Sequence, residues 1–297
     1  MPELPEVETT VRDLRPHLIG RTIQRAAVTW ERTVAHPAPS AFKKEIVGYT
    51  ITAITRRGKY LVFEMERRTT DDGRRTLREQ SVDYPTIQPS DHPTKYLLVH
   101  LRMTGQFGFH APRVKRDKHQ HVHLLLDDGR ELRFHDFRKF GRWWLVDDPE
   151  TVVGKLGPEP LEMSKKEFLT RLRARRGRLK SLLLDQTFVA GVGNIYADEA
   201  LWYAKIHPLR EATTLTDKEA SDLYNAIRRV FRKAIGVGGT SFDATYKRIN
   251  GQSGEFQEDL RVVGRAGEPC YRCGTPILKT VVGQRGTYYC PNCQTLK

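Results

Sequence analysis

The chain opens Met1-Pro2-Glu3-Leu4-Pro5-Glu6, and this stretch holds its most reactive arrangement of groups. Removal of Met1 would leave Pro2 with a secondary α-amine. An α-amine has a pKa of about 7.7–8.0 against about 10.4 for lysine, so more of it is unprotonated at neutral pH. The positive end of a following helix lowers the ammonium form further, while nearby carboxylates oppose this. A neutral amine is a nucleophile toward an electrophilic sugar or carbonyl carbon. Glu3 and Glu6 lie one helical turn apart beside it, and Glu3 is placed for general acid–base proton transfer. The helix dipole alone would also favour both carboxylates in a first turn, so at this level the opening reads equally as an ordinary helix start.

The cysteines form the second group. Cys270-x2-Cys273 and Cys290-x2-Cys293, sixteen residues apart, have the spacing of a four-thiolate zinc site. Four thiolates leave no open coordination position, so such a zinc is structural. Redox pairs or disulfides are the alternative. Between the pairs, Gln284-Arg285-Gly286-Thr287 reads as the tip of a β-hairpin finger, and an arginine there is a phosphate-contact candidate. The turn Ala190-Gly191-Val192-Gly193-Asn194, with Asn194 suited to an N-cap, is either a helix connector or an anion cradle. The neighbouring basic run RLRARRGRLK at 171–180 favours the cradle.

Elements that would position these groups follow from the hydrophobic periods. Val7, Val11, Leu14 and Leu18 form one helical stripe, with Gly20 as its stop. Alternating strands are expected over 21–30 and 49–65, the second interrupted by a hairpin tip, Arg56-Arg57-Gly58-Lys59, that carries three positive charges. Strands at 121–126 and 131–136 flank Asp127-Asp128-Gly129, a strong hairpin signal. Together these predict a β-sandwich with the first helix packed on it. Residues 67–94, charged and proline-rich, read as a solvated, mobile insertion. Helical runs are expected at 179–185, 194–205 and 216–235, and strand-and-turn sequence over 262–297. The fold class is therefore multidomain α+β: a sandwich domain over 1–150, a helical domain over 151–259 and a cysteine finger over 260–297.

The chain of 297 residues carries 50 Lys and Arg against 36 Asp and Glu, a net charge of +14. Residues 1–150 contribute 26 − 21 = +5 and residues 151–297 contribute 24 − 15 = +9. This surplus favours a polyanionic partner, nucleic acid before an anionic membrane surface. A mean hydropathy of −0.56 excludes a membrane protein, and no apolar run approaches the ~20 residues of a spanning helix. The acidic, proline-broken opening has no apolar core of a secretory signal, so a cytoplasmic location is expected. Four cysteines are too few for a disulfide scaffold of this length.

Taken together, these residues resemble the formamidopyrimidine-DNA glycosylase family. The opening PELPEVET matches that family's N-terminal motif, and RRGKYL at 56–61, HLRMTG at 100–105, FRKFG at 137–141, LGPEPL at 156–161, GVGNIYADE at 191–199 and GEPC at 267–270 recur in order along almost the whole chain. The resemblance implies a bifunctional base-excision enzyme, glycosylase and AP lyase, for 8-oxoguanine and formamidopyrimidines in double-stranded DNA. It also implies one structural zinc, a monomer and work on nucleoid DNA. By similarity, the Pro2 amine attacks C1′ of the damaged nucleotide, Glu3 protonates the ring oxygen and Glu6 orders the lesion or a water. Lys59 contacts phosphate and assists β-elimination, and Arg285 assists the following δ-elimination.

A base in a duplex must be everted before chemistry, and the hole it leaves must be filled. Met103, Arg138 and Phe140 match the family's three filling side chains. His100, His119, Arg176, Lys180 and Asn194 align with phosphate-contacting positions, and the glycine turn becomes part of a helix–two-turn–helix motif. Residues 240–256 align with a loop that closes over the everted base. Phe137 and Lys139 depart from the frequent Pro and Arg, and a lysine loses bidentate phosphate geometry. Two rival readings are an endonuclease VIII-like enzyme for oxidised pyrimidines and a non-catalytic damage-binding zinc protein. An RNA-binding zinc ribbon has only the finger and the charge behind it.

Overall fold

The computed structural model describes residues 2–67, 94–241 and 246–296. The expected 67–94 insertion therefore lies outside the described residues except for its ends, as do residues 242–245 of the loop at 240–256. In chain order the helices are α1 (Leu4–Leu18), α2 (Pro39–Glu45), α3 (Glu150–Val153), α4 (Lys165–Arg173), α5 (Leu179–Leu184), α6 (Asn194–Ala204) and α7 (Asp217–Gly236). The strands are β1 (Ile23–Val28), β2 (Val34–His36), β3 (Tyr49–Arg57), β4 (Tyr60–Arg67), β5 (Thr94–His100), β6 (Gln106–His110), β7 (Gln120–Leu126), β8 (Glu131–His135), β9 (Arg142–Val146), β10 (Leu278–Val282) and β11 (Arg285–Tyr289).

Two sheets build the N-terminal half. One runs β2-β9-β5-β4-β3, the other β1-β7-β8-β6. Their apolar faces share one core, in which Leu61 and Phe63 of β4 and Trp143 of β9 join Leu124 of β7 and Phe134 of β8. The α1 stripe of Val7, Val11, Leu14 and Leu18 is fully buried in that core, as its period requires. A smaller cluster of Val62, Leu98 and Val153 covers the other face of the five-stranded sheet. The expected sandwich with its helix is present. Strands β2, β5, β6 and β9 and helices α2 and α3 lie outside the sequence expectations. Of these, β2, α2 and α3 are too short to show a period, β5 is buried on both faces and does not alternate, and β6 and β9 lack the turn signal that marks β7 and β8.

The helical half and the finger share a single core. Leu179, Tyr196, Leu201 and Phe231 pack in the same cluster as Ile277, Cys270 and Cys290 of the finger. Leu4 belongs to this second core although Val7, on the same helix, belongs to the first. The N-terminal motif therefore spans the joint between the two halves.

Several local expectations shift. The helix α6 is N-capped by Gly193, with Asn194 its first residue rather than its cap. The fingertip turn is Gly283-Gln284, both in the left-handed region that a two-residue hairpin turn with matching twist requires, and Arg285 is the first residue of β11, paired with Val282. The hairpin tip at 56–59 does not present three solvated charges. Arg56 Nη1 and Gly58 N both donate to Glu159 at 2.6 Å, Arg57 Nη1 donates to it at 3.2 Å, and Lys59 is buried. Two cations of that tip thus bind the sandwich to the segment that leads into the helical domain.

Candidate active site at the domain joint

Leu4 N donates to the Gly191 carbonyl at 3.1 Å, which docks the N-terminal motif onto the glycine turn. Pro2, Glu3 and Glu6 are all buried there. One Glu3 oxygen, Oε1, accepts from Ile195 N at 3.1 Å and so caps α6, a helix of the other half. Its second oxygen, Oε2, is buried without a hydrogen-bond partner. A buried carboxylate oxygen without a partner costs stability, and its open lone pair is free for proton transfer. The turn that looked like a phosphate cradle thus receives a carboxylate from its own chain. Gly193 is required for this, because a side chain there would collide with the Glu3 carboxyl group. Gly191 likewise has φ +87° and leaves room for the Leu4 side chain.

Glu6 sits in a hydrogen-bonded cage. Its Oε2 accepts from Glu3 N at 2.8 Å, and its Oε1 accepts from Thr240 N at 2.8 Å and from the Tyr196 hydroxyl. Burial pushes the Glu6 pKa up, and the charge of Glu3 adds to this, although the three donors oppose it. Tyr196, fully buried, is held well above its ordinary pKa by desolvation, so it keeps its proton and donates. Tyr196 and Thr240 were not anticipated. Nothing local in the sequence marks a tyrosine 190 residues from its partner.

A cleft of ≈ 240 Å³ opens beside this motif, lined in part by Lys59, His100, Asn194 and Arg285. Burial lowers the Lys59 pKa, opposed by Glu3 and Glu6 and reinforced by Arg285, so its ammonium gives up a proton more readily than a surface lysine. His100 is pushed down to about 3 by burial and by the Arg102 and Lys59 charges, so its ring is neutral. Its Nδ1 accepts from Arg102 N at 3.0 Å, which leaves Nε2 as the N–H donor.

The three eversion candidates lie on two loops that buried Asp136 ties together. Asp136 accepts from the Thr104 hydroxyl and, at 2.6 Å, from Gly141 N. Met103 precedes Thr104 and is half-buried. Arg138 and Phe140 are exposed, and the guanidinium carbon of Arg138 lies 5.1 Å from the Phe140 ring centroid. Lys139 between them has φ +61° and places Nζ 4.2 Å from the Trp30 ring centroid. Arg102, before Met103, and Gln284, before Arg285, also have positive φ. Among the described residues only Lys205 shares this conformation without being a glycine, and it caps the C-terminus of α6. Such backbone costs about 1–3 kcal/mol each and concentrates where side chains must be aimed.

The remaining candidates divide. Arg176 is exposed in the middle of the basic run. His119 lies edge-on to Phe137 and His135, with Nδ1 buried and unpartnered. Asn194 donates from Nδ2 to the Gly286 carbonyl at 2.9 Å, and its Oδ1 is buried without a partner. Lys180 does not reach the surface at all. It is fully buried, ion-paired to Asp198 and bonded to the Asn194 carbonyl at 3.1 Å. Its alignment with a phosphate contact fails because no part of the side chain meets solvent. In the rest of the basic run, Arg171 donates to the carbonyls of Thr187 and Phe188, and Arg173 pairs with Asp217.

The four cysteine sulfurs lie within 4.8 Å of one another. A tetrahedral zinc with bonds of about 2.3 Å needs sulfurs about 3.8 Å apart, so the set fits. Cys293 N donates to Cys290 Sγ at 3.4 Å and Trp202 Nε1 to Cys270 Sγ at 3.4 Å, contacts that stabilise thiolate. These cysteines hold one structural zinc.

The comparisons with known proteins agree along the chain. The formamidopyrimidine-DNA glycosylase N-terminal domain family matches residues 1–143, the H2TH domain family of the same enzymes matches 156–245, and the zinc finger found in FPG and IleRS matches 267–296. A formamidopyrimidine-DNA glycosylase from Herpetosiphon aurantiacus is 45% identical over 99% of this chain and 100% of its own. The chain belongs to the formamidopyrimidine-DNA glycosylase family. A relative from Protochlamydia amoebophila is 41% identical over 99% of each chain. Among solved structures, Lactococcus lactis Fpg in complex with DNA containing an abasic site superposes with a TM-score of 0.84 at 38% identity, covering 99% of this chain and 100% of that one. A MutM complex with DNA containing carbocyclic 8-oxo-G gives 0.83 at 37% identity and the same coverage. No helix among the described residues is long and apolar enough to cross a membrane.

Proposed function

We propose that this member of the family excises oxidised purines from double-stranded DNA and cuts the strand at the resulting abasic site, working on nucleoid DNA in the cytoplasm. The carrying observation is Glu3, buried next to Pro2 with one oxygen fixed on Ile195 N and the other unpartnered. In this reading the Pro2 amine attacks C1′ of the everted nucleotide, and the glycosidic bond breaks to release the base. Glu3 delivers a proton to the ring oxygen as the sugar opens, which leaves an iminium on Pro2. Lys59, eased toward its neutral form by burial, removes a C2′ proton, and the 3′-phosphate departs. A second elimination, assisted by Arg285, expels the 5′-phosphate and leaves a one-nucleotide gap.

DNA lies across the cleft from both halves of the chain. His100 donates from Nε2 as a neutral hydrogen-bond group, and His119, Arg176 and Asn194 stand at further phosphate positions. Met103, Arg138 and Phe140 fill the helix where the base has left. Zinc bound by the four cysteines would hold the finger that carries Arg285 and would supply no chemistry of its own.

Borohydride trapping on an 8-oxoguanine·cytosine duplex tests the mechanism. A covalent complex is expected from the native chain and should be greatly reduced by Pro2→Gly or by retention of Met1. Absence of a trapped species from the native chain refutes it. Preference for thymine glycol over 8-oxoguanine in the same assay would instead favour an oxidised-pyrimidine enzyme.

A further inference from the structure

Asn194 and Asp198 are four residues apart on α6 and therefore project from the same side of the helix. Both hold the fingertip strand. Asn194 Nδ2 donates to the Gly286 carbonyl at 2.9 Å, and Tyr288 N donates to Asp198 Oδ2 at 3.0 Å. The two bonds straddle buried Thr287 and begin one residue beyond Arg285. The other Asp198 oxygen is taken by Lys180, and both side chains of that ion pair are wholly buried. The fingertip turn also packs close to α5, since a Cβ at Gly283 would lie 3.0 Å from Ser181 Oγ. A buried ion pair is a poor stabiliser in itself, because desolvation offsets its attraction, so its presence here asks for another reason. The Tyr288 bond supplies one: Asp198 Oδ2 accepts from the backbone of the fingertip strand, and the Lys180 pair at the other oxygen fixes where that acceptor points.

We propose that Asp198 is a positioning residue for Arg285, setting where the fingertip stands over the cleft, and that Lys180 serves to neutralise and orient that carboxylate. The inference rests on the role given to Arg285 in the second elimination. It predicts that loosening Asp198 alters the partition between the two eliminations more than it alters formation of the iminium.

Removing Asp198 alone would strand the Lys180 charge and risk unfolding, so two paired variants of the zinc-loaded full chain are compared on an abasic-site duplex. K180M/D198L removes the acceptor together with both charges. K180M/D198N removes the charges and keeps an amide oxygen for Tyr288 N. For the leucine pair, the ratio of δ- to β-elimination product should fall about tenfold, the scale of one lost hydrogen bond. Its borohydride trapping should stay within about threefold of the native rate. The Tyr288 amide should also exchange faster in that variant, and the asparagine pair should recover most of the product ratio and of the protection. A native product ratio or native Tyr288 protection in the leucine pair overturns the proposal, as does an equal loss in both pairs. Arg285→Gln is run alongside to separate the failures. If it leaves the ratio unchanged, the role of Arg285 is wrong and the positioning claim falls with it. If it shifts the ratio while the leucine pair does not, only the positioning claim is wrong.

Discussion

Gly193→Ala isolates the contact on which the proposed chemistry depends. Gly193 has φ −128° and ψ −165°, backbone that alanine adopts without strain, so the substitution acts through its methyl group alone. An added Cβ would lie no farther than 2.5 Å from Cδ and both oxygens of the Glu3 carboxyl group. Ordinary non-bonded contact begins at about 3.5 Å, so the carboxylate must retreat by about 1 Å. It then loses Ile195 N, a helix cap worth about 1 kcal/mol, while the smaller unfolded-state entropy of alanine returns about 0.4–1 kcal/mol. Stability should therefore change by about 1 kcal/mol or less, a Tm shift of about 4 °C at most. Activity should respond far more, because a displacement of about 1 Å at a reacting group costs about a hundredfold. The assay is single-turnover borohydride trapping on an 8-oxoguanine duplex, with thermal unfolding of the same sample. Trapping within about threefold of native would refute the reasoning. A collapse of Tm would show instead that Gly193 serves the fold.

Three further outcomes are expected. Glu159→Ala strips its acceptor from Arg56, Arg57 and Gly58 N, and because Arg56 keeps Glu8 at 3.2 Å the loss should be about 3 kcal/mol, the low end for breaking a buried pair. Urea unfolding measures it, and a change below about 1 kcal/mol would mean that the joint does not depend on this pair. The buried His100 ring has its pKa depressed from 6.5 to about 3, so its contribution to stability is full above pH 6.5 and is lost as pH falls toward 3. At about 1.4 kcal/mol per pH unit this withdraws up to about 5 kcal/mol, and His100→Asn should flatten the stability profile in that window; an unchanged profile would contradict the neutral ring. Metal analysis should find about one zinc per chain. Cys290→Ser should lower zinc content and DNA binding together and change Trp202 fluorescence, since Trp202 Nε1 donates to the neighbouring Cys270 sulfur. Full zinc loss with native DNA affinity would remove the finger from the interface.

Features legible in the sequence were those governed by short-range rules. The α1 stripe needs only a 3.6-residue period, the Asp127-Asp128-Gly129 hairpin only its turn chemistry, and the zinc site only the two Cys-x2-Cys spacings. The ordered motifs also placed Pro2, Glu3, Lys59 and Arg285 in one family pattern before any geometry was known. Partners were not legible. Glu3 caps a helix that begins 191 positions later, Arg56 and Arg57 bind Glu159, and Lys180 is consumed by Asp198. A net charge of +14 could indicate a polyanion as partner, but not which cations remain free to meet it. That depends on which carboxylate lies within about 4 Å once the chain has folded, since attraction and desolvation at that range decide whether a cation faces phosphate or is spent inside. The sequence by itself determined the chemistry the chain carries. Only the tertiary structure decided which charged groups stay free at the cleft and which hold the two halves together, because a local pattern does not record a partner far away along the chain.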